Sequence, residues 1–155
     1  MNKMKLGIIQ ARLTDPASGH QTTPKNWMRE FSIISNLNLN HIEWNIDENR
    51  LFDNPILIER IEKDILKKIS SVCFDNLVTN KIYDYKFLER NLFEIVKRLS
   101  NKNILSITIP LVESARLNSV ADVSKIRRAI DKIVDENPKM IINIESDSRI
   151  SLVSE

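Results

Sequence analysis

The 155-residue sequence contains only two glycines and one cysteine, and these scarcities exclude several classes of protein. So little glycine leaves no phosphate-binding loop of the GxGxxG or the GxxxxGK[ST] type. Cys73 has no second cysteine to pair with, so an internal disulfide is excluded and a reducing compartment is expected. Long hydrophobic runs are also missing. The apolar segment near the start, Leu6–Ile9, is too short for a signal peptide or a membrane span.

Charge of neither sign dominates the sequence. It has 23 basic and 21 acidic residues, for a net charge of +2, and they are spread along the chain. Because no tract of lysine and arginine is present, we expect neither a nucleic-acid partner nor a membrane partner. The expected localisation is the cytoplasm.

Short apolar runs alternate with longer segments that have helical periodicity. The predicted strands cover residues 5–13, 41–47, 71–78, 104–112 and 139–147. They start roughly 30 to 36 residues apart, which is the repeat length of a strand with its crossover helix. The sequence therefore predicts a single domain over residues 1–155, with five strands and four crossover helices.

Each predicted helix has an apolar stripe and a start signal. The stripes are Trp27, Phe31, Ile34 and Leu37; Leu57, Ile58, Ile61, Ile65, Leu66 and Ile69; Leu88, Leu92, Ile95, Val96 and Leu99; and Val123, Ile126, Ile130, Ile133 and Val134. The predicted caps are Thr23 before Pro24, Asn54 before Pro55, Asp84, and Ser119 with Asp122.

Alternating strands and helices predict a parallel sheet with right-handed crossovers. Two folds fit this pattern: an open doubly wound sheet, and part of a (βα)8 barrel. A central strand of an open sheet is apolar on both faces. Here one face is predicted to carry Gln10, Arg12, Glu43, Asn45, Ser106, Thr108, Asn143 and Glu145, and the other Ile9, Ile42, Trp44, Ile107, Ile109, Ile142 and Ile144. This asymmetry favours an α/β fold that is an incomplete (βα)8 TIM barrel, with strands in the order 1-2-3-4-5 and the helices outside.

Polar side chains collect where the predicted strands end. They are Gln10, Arg12, Glu43, Asn45, Asp75, Glu113, Glu145 and Asp147. An arginine can bind a phosphate or carboxylate bidentately, and carboxylates can hold a divalent metal or move protons. Strand ends also meet solvent, which makes them polar without any function. Glu145 is the strongest candidate, because it follows an apolar strand and shares a strand face with Asn143.

Asp75 and the nearby Cys73 each have a further interpretation. Asp75 has the position of the phosphoacceptor in receiver domains. Those domains also need an acidic pair after the first strand and a lysine after the fifth, where this sequence has Gln10-Ala-Arg12 and Glu145, so a receiver domain is not expected. Cys73, in the middle of a strand, is expected to pack as a small apolar residue.

Five motifs, taken in order, resemble the sugar phosphate isomerase/epimerase family, whose fold is a xylose-isomerase-like TIM barrel. They are Gly7-Ile-Ile-Gln-Ala-Arg-Leu13, Pro24-Lys-Asn-Trp27, Ile42-Glu-Trp44, Val72-Cys-Phe-Asp75 and Ile144-Glu-Ser-Asp147. Similar members of the bacterial branch begin with GIxQGRL, followed by a PKxW helix and an IEW strand. The resemblance covers nearly the whole chain, but only strands one to five of eight.

The resemblance implies roles for the residues at the strand ends. Glu145 would be the first of four metal ligands and would assist proton transfer between adjacent sugar carbons. Gln10, Arg12, Glu43 and Asp75 would line the mouth that takes a small sugar or sugar phosphate. The implied cofactor is a divalent ion such as Mn, Mg, Co or Zn. The sequence departs from the family at Ala11, where glycine is usual, and at Phe74, where a small residue is usual.

The resemblance also implies that much of the family's site is missing. Its remaining metal ligands, an Asp, a His and a Glu, lie on strands six to eight. We therefore expect a truncated isomerase/epimerase-like protein that binds metal weakly or not at all and is inactive alone. The alternative is a non-catalytic α/β module that binds a small polyol, or a partner chain through its open sheet edges, with self-association as one outcome. Related apurinic endonucleases use several zinc-binding histidines. This sequence has two histidines in all, neither at the end of a predicted strand, so a nuclease is not expected.

Overall fold

The structure, a computed structural model, describes residues 5–15, 22–47, 53–58, 60–78 and 91–147. Five parallel strands form one sheet in the order β1-β2-β3-β4-β5. The strands are β1 (Gly7–Ile9), β2 (His41–Asn45), β3 (Ile69–Cys73), β4 (Ser106–Leu111) and β5 (Ile141–Ser146). The helices are α1 (Trp27–Asn36), α2 (Pro55–Ile58), α3 (Lys63–Leu66), α4 (Phe93–Asn101) and α5 (Val120–Glu136). The predicted α/β fold and strand order are confirmed. In a doubly wound sheet the strand order would reverse near the middle, and the order observed here does not.

The register of the strands separates a polar face from an apolar face. Asn45 pairs with Cys73, Cys73 with Thr108, and Thr108 with Asn143, so these four side chains form a row on the polar face. Ile9 pairs with Glu43 and therefore also lies on the polar face, so its predicted place on the apolar face is wrong. The reason is that β1 ends at Ile9, so the alternation of a strand does not continue into Gln10 and Arg12.

The hydrophobic core lies between the apolar face and the helices. The ring of Trp44 meets that of Trp27 edge-on with centroids 5.2 Å apart, and it stacks on Phe31 at 6.1 Å. Buried residues of α4 and α5 belong to the same core cluster. No residue of α1–α5 lines either of the two cavities that open on the polar face. For the described residues, this agrees with the barrel prediction, which places the helices outside the sheet.

Several predicted boundaries are wrong in detail. The second crossover consists of α2 and α3 rather than one helix, because the backbone of Glu62 is extended (φ −60°, ψ 142°) and α3 starts after it. Strand β3 starts at Ile69 and ends at Cys73, and a 3-10 turn follows at Asp75–Leu77. The predicted cap Asp84 and the stripe residue Leu88 lie outside the described residues.

The caps give a mixed result. Ser119 caps α5 as predicted, since the Asp122 N–H donates to its Oγ at 3.2 Å and the hydroxyl donates back to the Asp122 carboxylate at 2.8 Å. Asn54 accepts from the N–H of Ile56 at 3.2 Å, as a cap before Pro55 should. Thr23 does not cap α1, which starts at Trp27, and its hydroxyl donates to the Asn45 carbonyl instead.

Two helices end in the left-handed conformation without using glycine. Asn38 follows α1 with φ 54°, and Asn103 follows α4 with φ 60°. In each case the next N–H turns back to the helix, from Leu39 to Ile34 at 2.9 Å and from Ile104 to Leu99 at 3.0 Å. Asparagine is the usual substitute for glycine in this motif, so a chain poor in glycine still stops these helices sharply. None of the described helices has the length and the apolar character needed to cross a bilayer.

Candidate functional site at the carboxyl edge of the sheet

A cavity of about 290 Å³, the carboxyl-edge cavity, opens where the strands end on the polar face. It is lined by Ile9, Glu43, Asn45, Cys73, Asp75, Val78, Thr108, Pro110, Val112, Glu113 and Glu145. All of these come from the strands or the loops that follow them. The carboxyl edge of a parallel sheet is where α/β folds commonly bind ligands.

A carboxylate held by hydroxyl groups from two other strands forms the floor of the cavity. Glu43 of β2 accepts hydrogen bonds from Ser71 Oγ of β3 and Thr108 Oγ1 of β4, both at 2.8 Å to its Oε1. These two bonds fix the orientation of the carboxylate. The floor is therefore a fixed hydrogen-bond acceptor.

Asn45, a lining residue of the cavity, carries an unused donor. Its side chain is only 1% exposed, and its Nδ2 finds no acceptor among the described residues. Its main chain is fixed, because the N–H donates to Gln10 Oε1 at 3.1 Å and the carbonyl accepts from Thr23 Oγ1 at 3.2 Å. A buried donor without a partner costs about 1–3 kcal/mol, so an acceptor on a ligand would be favoured at this point.

Asn54 holds the strand end behind the cavity. Its Oδ1 accepts from Trp44 Nε1 at 2.9 Å as well as from Ile56, and its Nδ2 donates to Thr23 Oγ1 at 2.9 Å and to the Asn45 carbonyl at 3.2 Å. The side chain is fully buried and uses all of its hydrogen-bonding groups. It ties the segment before α1 and the start of α2 to the end of β2.

The turn after β1 depends on a buried carboxylate that the sequence analysis missed. Glu30 of α1 accepts from the N–H of Ala11, at 3.0 and 3.2 Å to its two oxygens, and from the N–H of Leu13 at 3.3 Å. Ala11 has a φ of 66°, a conformation that glycine adopts more easily, so these bonds offset local strain. A charged residue within the otherwise apolar stripe of α1 was the available signal.

The electrostatic character of the cavity is strongly acidic. Four carboxylates line it (Glu43, Asp75, Glu113 and Glu145) and no lysine, arginine or histidine of the described residues does. Burial raises the pKa of Asp75 to about 6, and the charges of Asp47, Glu113 and Glu145 add to the rise. Burial, followed by Glu43, Asp75 and Glu145, also raises the pKa of the Cys73 thiol, which therefore stays protonated at neutral pH.

The structure brings together only some of the predicted site residues. Glu43, Asp75 and Glu145 share the cavity with Asn45 and Glu113. Gln10 lies behind it, in contact with the Asn45 backbone, while Arg12 is exposed in the turn after β1 and is not part of the lining. Asp147 is also outside, paired with Arg116.

Cys73 is a lining residue, although it was predicted to pack as a small apolar one. It pairs in register with Thr108 of β4, which places both side chains on the polar face. The alternation of β3 carried the signal for this position, whereas the residue type did not.

The metal site implied by the resemblance is not formed by the described residues. Among them, no three His, Cys, Asp or Glu side chains lie close enough to share an ion. Glu145 is exposed on β5, the outermost strand on its side of the sheet. Comparison with models of protein families gives no match, and comparison with curated proteins gives none either.

We expect Asn54→Asp to destabilise the fold by about 3 kcal/mol. The substitution keeps the size of the side chain but removes both Nδ2 donors and turns a carboxylate oxygen towards the Asn45 carbonyl. Chemical denaturation should show this loss. Asn26→Asp, at an exposed position with no side-chain cap bond, should change the free energy of unfolding by less than about 0.5 kcal/mol. Equal effects would contradict the role given to Asn54.

We expect Asp75→Asn to stabilise the protein at neutral pH but not at acidic pH. Since the folded state raises the pKa of Asp75 from 3.8 to about 6, the folded state binds more protons between these values, and stability falls as pH rises through this window. The variant lacks that fall. Because solvent still screens the half-buried carboxyl, we expect a gain of about 1 kcal/mol above the window and none below it.

Denaturation curves across this pH range would measure the difference. Asp131→Asn, on the exposed side of α5, should give differences below about 0.5 kcal/mol. A gain for Asp75→Asn that is the same at every pH would contradict the proposed origin of the pKa shift.

Proposed function

We propose that the carboxyl-edge cavity binds a small polyhydroxylated molecule of the sugar class, and that the chain alone does not isomerise it. The observation that supports this most directly is the unpartnered amide of Asn45 beside the Glu43 carboxylate. A hydroxyl group can accept from the first and donate to the second. Adjacent hydroxyls on one carbon skeleton match this alternation of donor and acceptor.

The size of the cavity favours a small ligand. About 290 Å³ is at the lower end of the range for ligand pockets. Apolar lining residues, including Ile9 and Pro110, can contact the C–H groups of a sugar. The resemblance to the sugar phosphate isomerase/epimerase family agrees with this ligand class and with the position of the cavity.

Binding without turnover follows from the charges. Moving a proton between adjacent sugar carbons passes through an enediolate-like negative charge that needs stabilisation by a cation or by fixed donors. The lining offers four carboxylates and, among the described residues, no cationic side chain. Carboxylates alone would raise the energy of such an intermediate. The isomerase/epimerase chemistry of the resembled family would thus need stabilising groups that the described lining residues do not supply.

Calorimetric titration with simple aldoses, ketoses and hexitols would test the proposal. We expect binding to wild type, and about tenfold weaker binding to Asn45→Ala, which removes the free donor while the main-chain bonds of Asn45 remain. Removing a donor that has no partner should cost little stability, so a thermal scan should separate binding from folding. Asn143→Ala is the matched control, because Asn143 lies in the same row of the polar face but outside the cavity lining.

Two results would contradict this function. The first is equal affinity in wild type and Asn45→Ala. The second is metal-dependent isomerisation or epimerisation by the chain alone that is lost in Glu145→Gln. That result would favour the catalytic role that the resemblance implies for Glu145.

A second candidate function, association with another chain through the sheet edge, rests on β5. No described strand pairs with its outer edge, and its side chains Ile141 and Ile144 are 61% and 49% exposed. An exposed edge with apolar side chains is a template for strand pairing. At the other edge β1 has only three residues, which is a weaker template.

We expect the protein to form oligomers at micromolar concentration, as measured by light scattering after size exclusion. Ile141→Lys should shift the distribution towards monomer, because a charged side chain on the edge opposes pairing. Met28→Lys places the same charge at an exposed apolar position on α1. This helix follows β1, at the opposite edge of the sheet from β5, so the variant should have no effect. A single monomeric peak with cooperative unfolding would exclude this candidate.

A further inference from the structure

We propose that the carboxyl-edge cavity selects a hydroxylated amine, a positively charged polyol, over a neutral sugar and over a sugar phosphate. This inference rests on the proposed function and specifies its ligand class. It departs from the resemblance, which implies a small sugar or sugar phosphate held partly by Arg12.

The first argument is the balance of charge around the cavity. Four carboxylates line it. The two arginines nearest in sequence to lining residues, Arg12 and Arg116, do not line the cavity themselves. Arg116 is paired with Asp147, and Arg12 is exposed outside the lining. Among the described residues that line the cavity, a phosphate would meet only like charges, whereas an ammonium group would offset them.

The second argument is the unpartnered amide, which needs a ligand atom of the opposite character. Asn45 is 1% exposed, and its Nδ2 is a pure donor without an acceptor among the described residues. An ammonium group, itself only a donor, cannot satisfy it, but a hydroxyl oxygen can. The cavity therefore favours a cation and a hydroxyl on the same small molecule.

The third argument is that the unpaired amide and the exposed carboxylates lie at different strands of the sheet. Asn45 and the hydrogen-bonded Glu43 belong to β2, whereas Glu113 and Glu145 lie on the far side, after β4 and on β5. Glu113 and Glu145 are exposed and have no cationic partner in the lining described. The hydroxyl end of the ligand would thus contact β2, and its ammonium end would face Glu113 and Glu145.

Three probes with one hexitol skeleton separate charge from shape: glucamine, sorbitol and sorbitol 6-phosphate. The titrations are run at about pH 7.5, where the amine of glucamine is protonated and carries a positive charge. By calorimetry we expect glucamine to bind about tenfold more tightly than sorbitol, and sorbitol 6-phosphate to bind more weakly than sorbitol. Raising salt from about 20 mM to about 500 mM should reduce the advantage of glucamine, since partly exposed charges are screened.

Variants place the effect in the cavity. Glu113→Gln and Glu145→Gln change exposed side chains, so folding should be preserved, and each should weaken glucamine binding about fivefold while sorbitol binding changes less than about twofold. Glu136→Gln, at the exposed end of α5, removes one carboxylate outside the cavity and should change neither affinity.

The outcomes distinguish this inference from the proposed function. Equal affinities for sorbitol and glucamine would overturn the charge preference and leave sugar binding intact. Tightest binding of the phosphate would overturn it as well, as would a glucamine affinity unchanged in both cavity variants. Binding of none of the three probes would overturn the proposed function together with the inference.

Discussion

The site depends on one buried amide, the side chain of Asn54. Its four hydrogen bonds join the indole of Trp44, the carbonyl of Asn45, the hydroxyl of Thr23 and the start of α2. A network of this kind is favourable only when every member is satisfied, and Asn54 meets that condition. Through it the hydrophobic packing of Trp44 on one face of β2 fixes the position of Asn45 on the other.

The same arrangement explains why Asn45 retains an unpaired donor. Its backbone groups are occupied by Gln10, Thr23 and Asn54, which hold the end of β2, and with it the base of this side chain, in place. The surrounding hydrogen bonds offset the free-energy cost of this unpaired donor. Binding sites commonly contain groups that are locally unfavourable for stability, and the packing of the surrounding structure keeps them in place.

Sequence patterns predicted the frame and part of the site. Strand alternation was strong enough to give the parallel sheet, its order and the polar face, and the rule that parallel strands end together placed Glu43, Asp75 and Glu145 in one region. Register was harder to predict. Ile9 was misplaced because β1 is only three residues long, too short for its end to be read from alternation alone. Cys73 was judged by its residue type, although the alternation of β3 places it on the polar face. Thr23 resembled a helix cap, and tertiary hydrogen bonds gave its hydroxyl a different partner.

The position of Cys73 has a practical consequence. It is the only cysteine in the sequence, and it lies in the lining of the carboxyl-edge cavity. A thiol-specific reagent would therefore modify the protein at a single, known place, and occupancy of the cavity would be visible as protection from that reagent. Since burial and, after it, the neighbouring carboxylates raise the pKa of the thiol and keep it protonated, labelling would be slow at neutral pH. Because labelling is slow, its rate can be compared with and without a candidate ligand. The rate of Cys73 modification therefore reports on occupancy of the cavity.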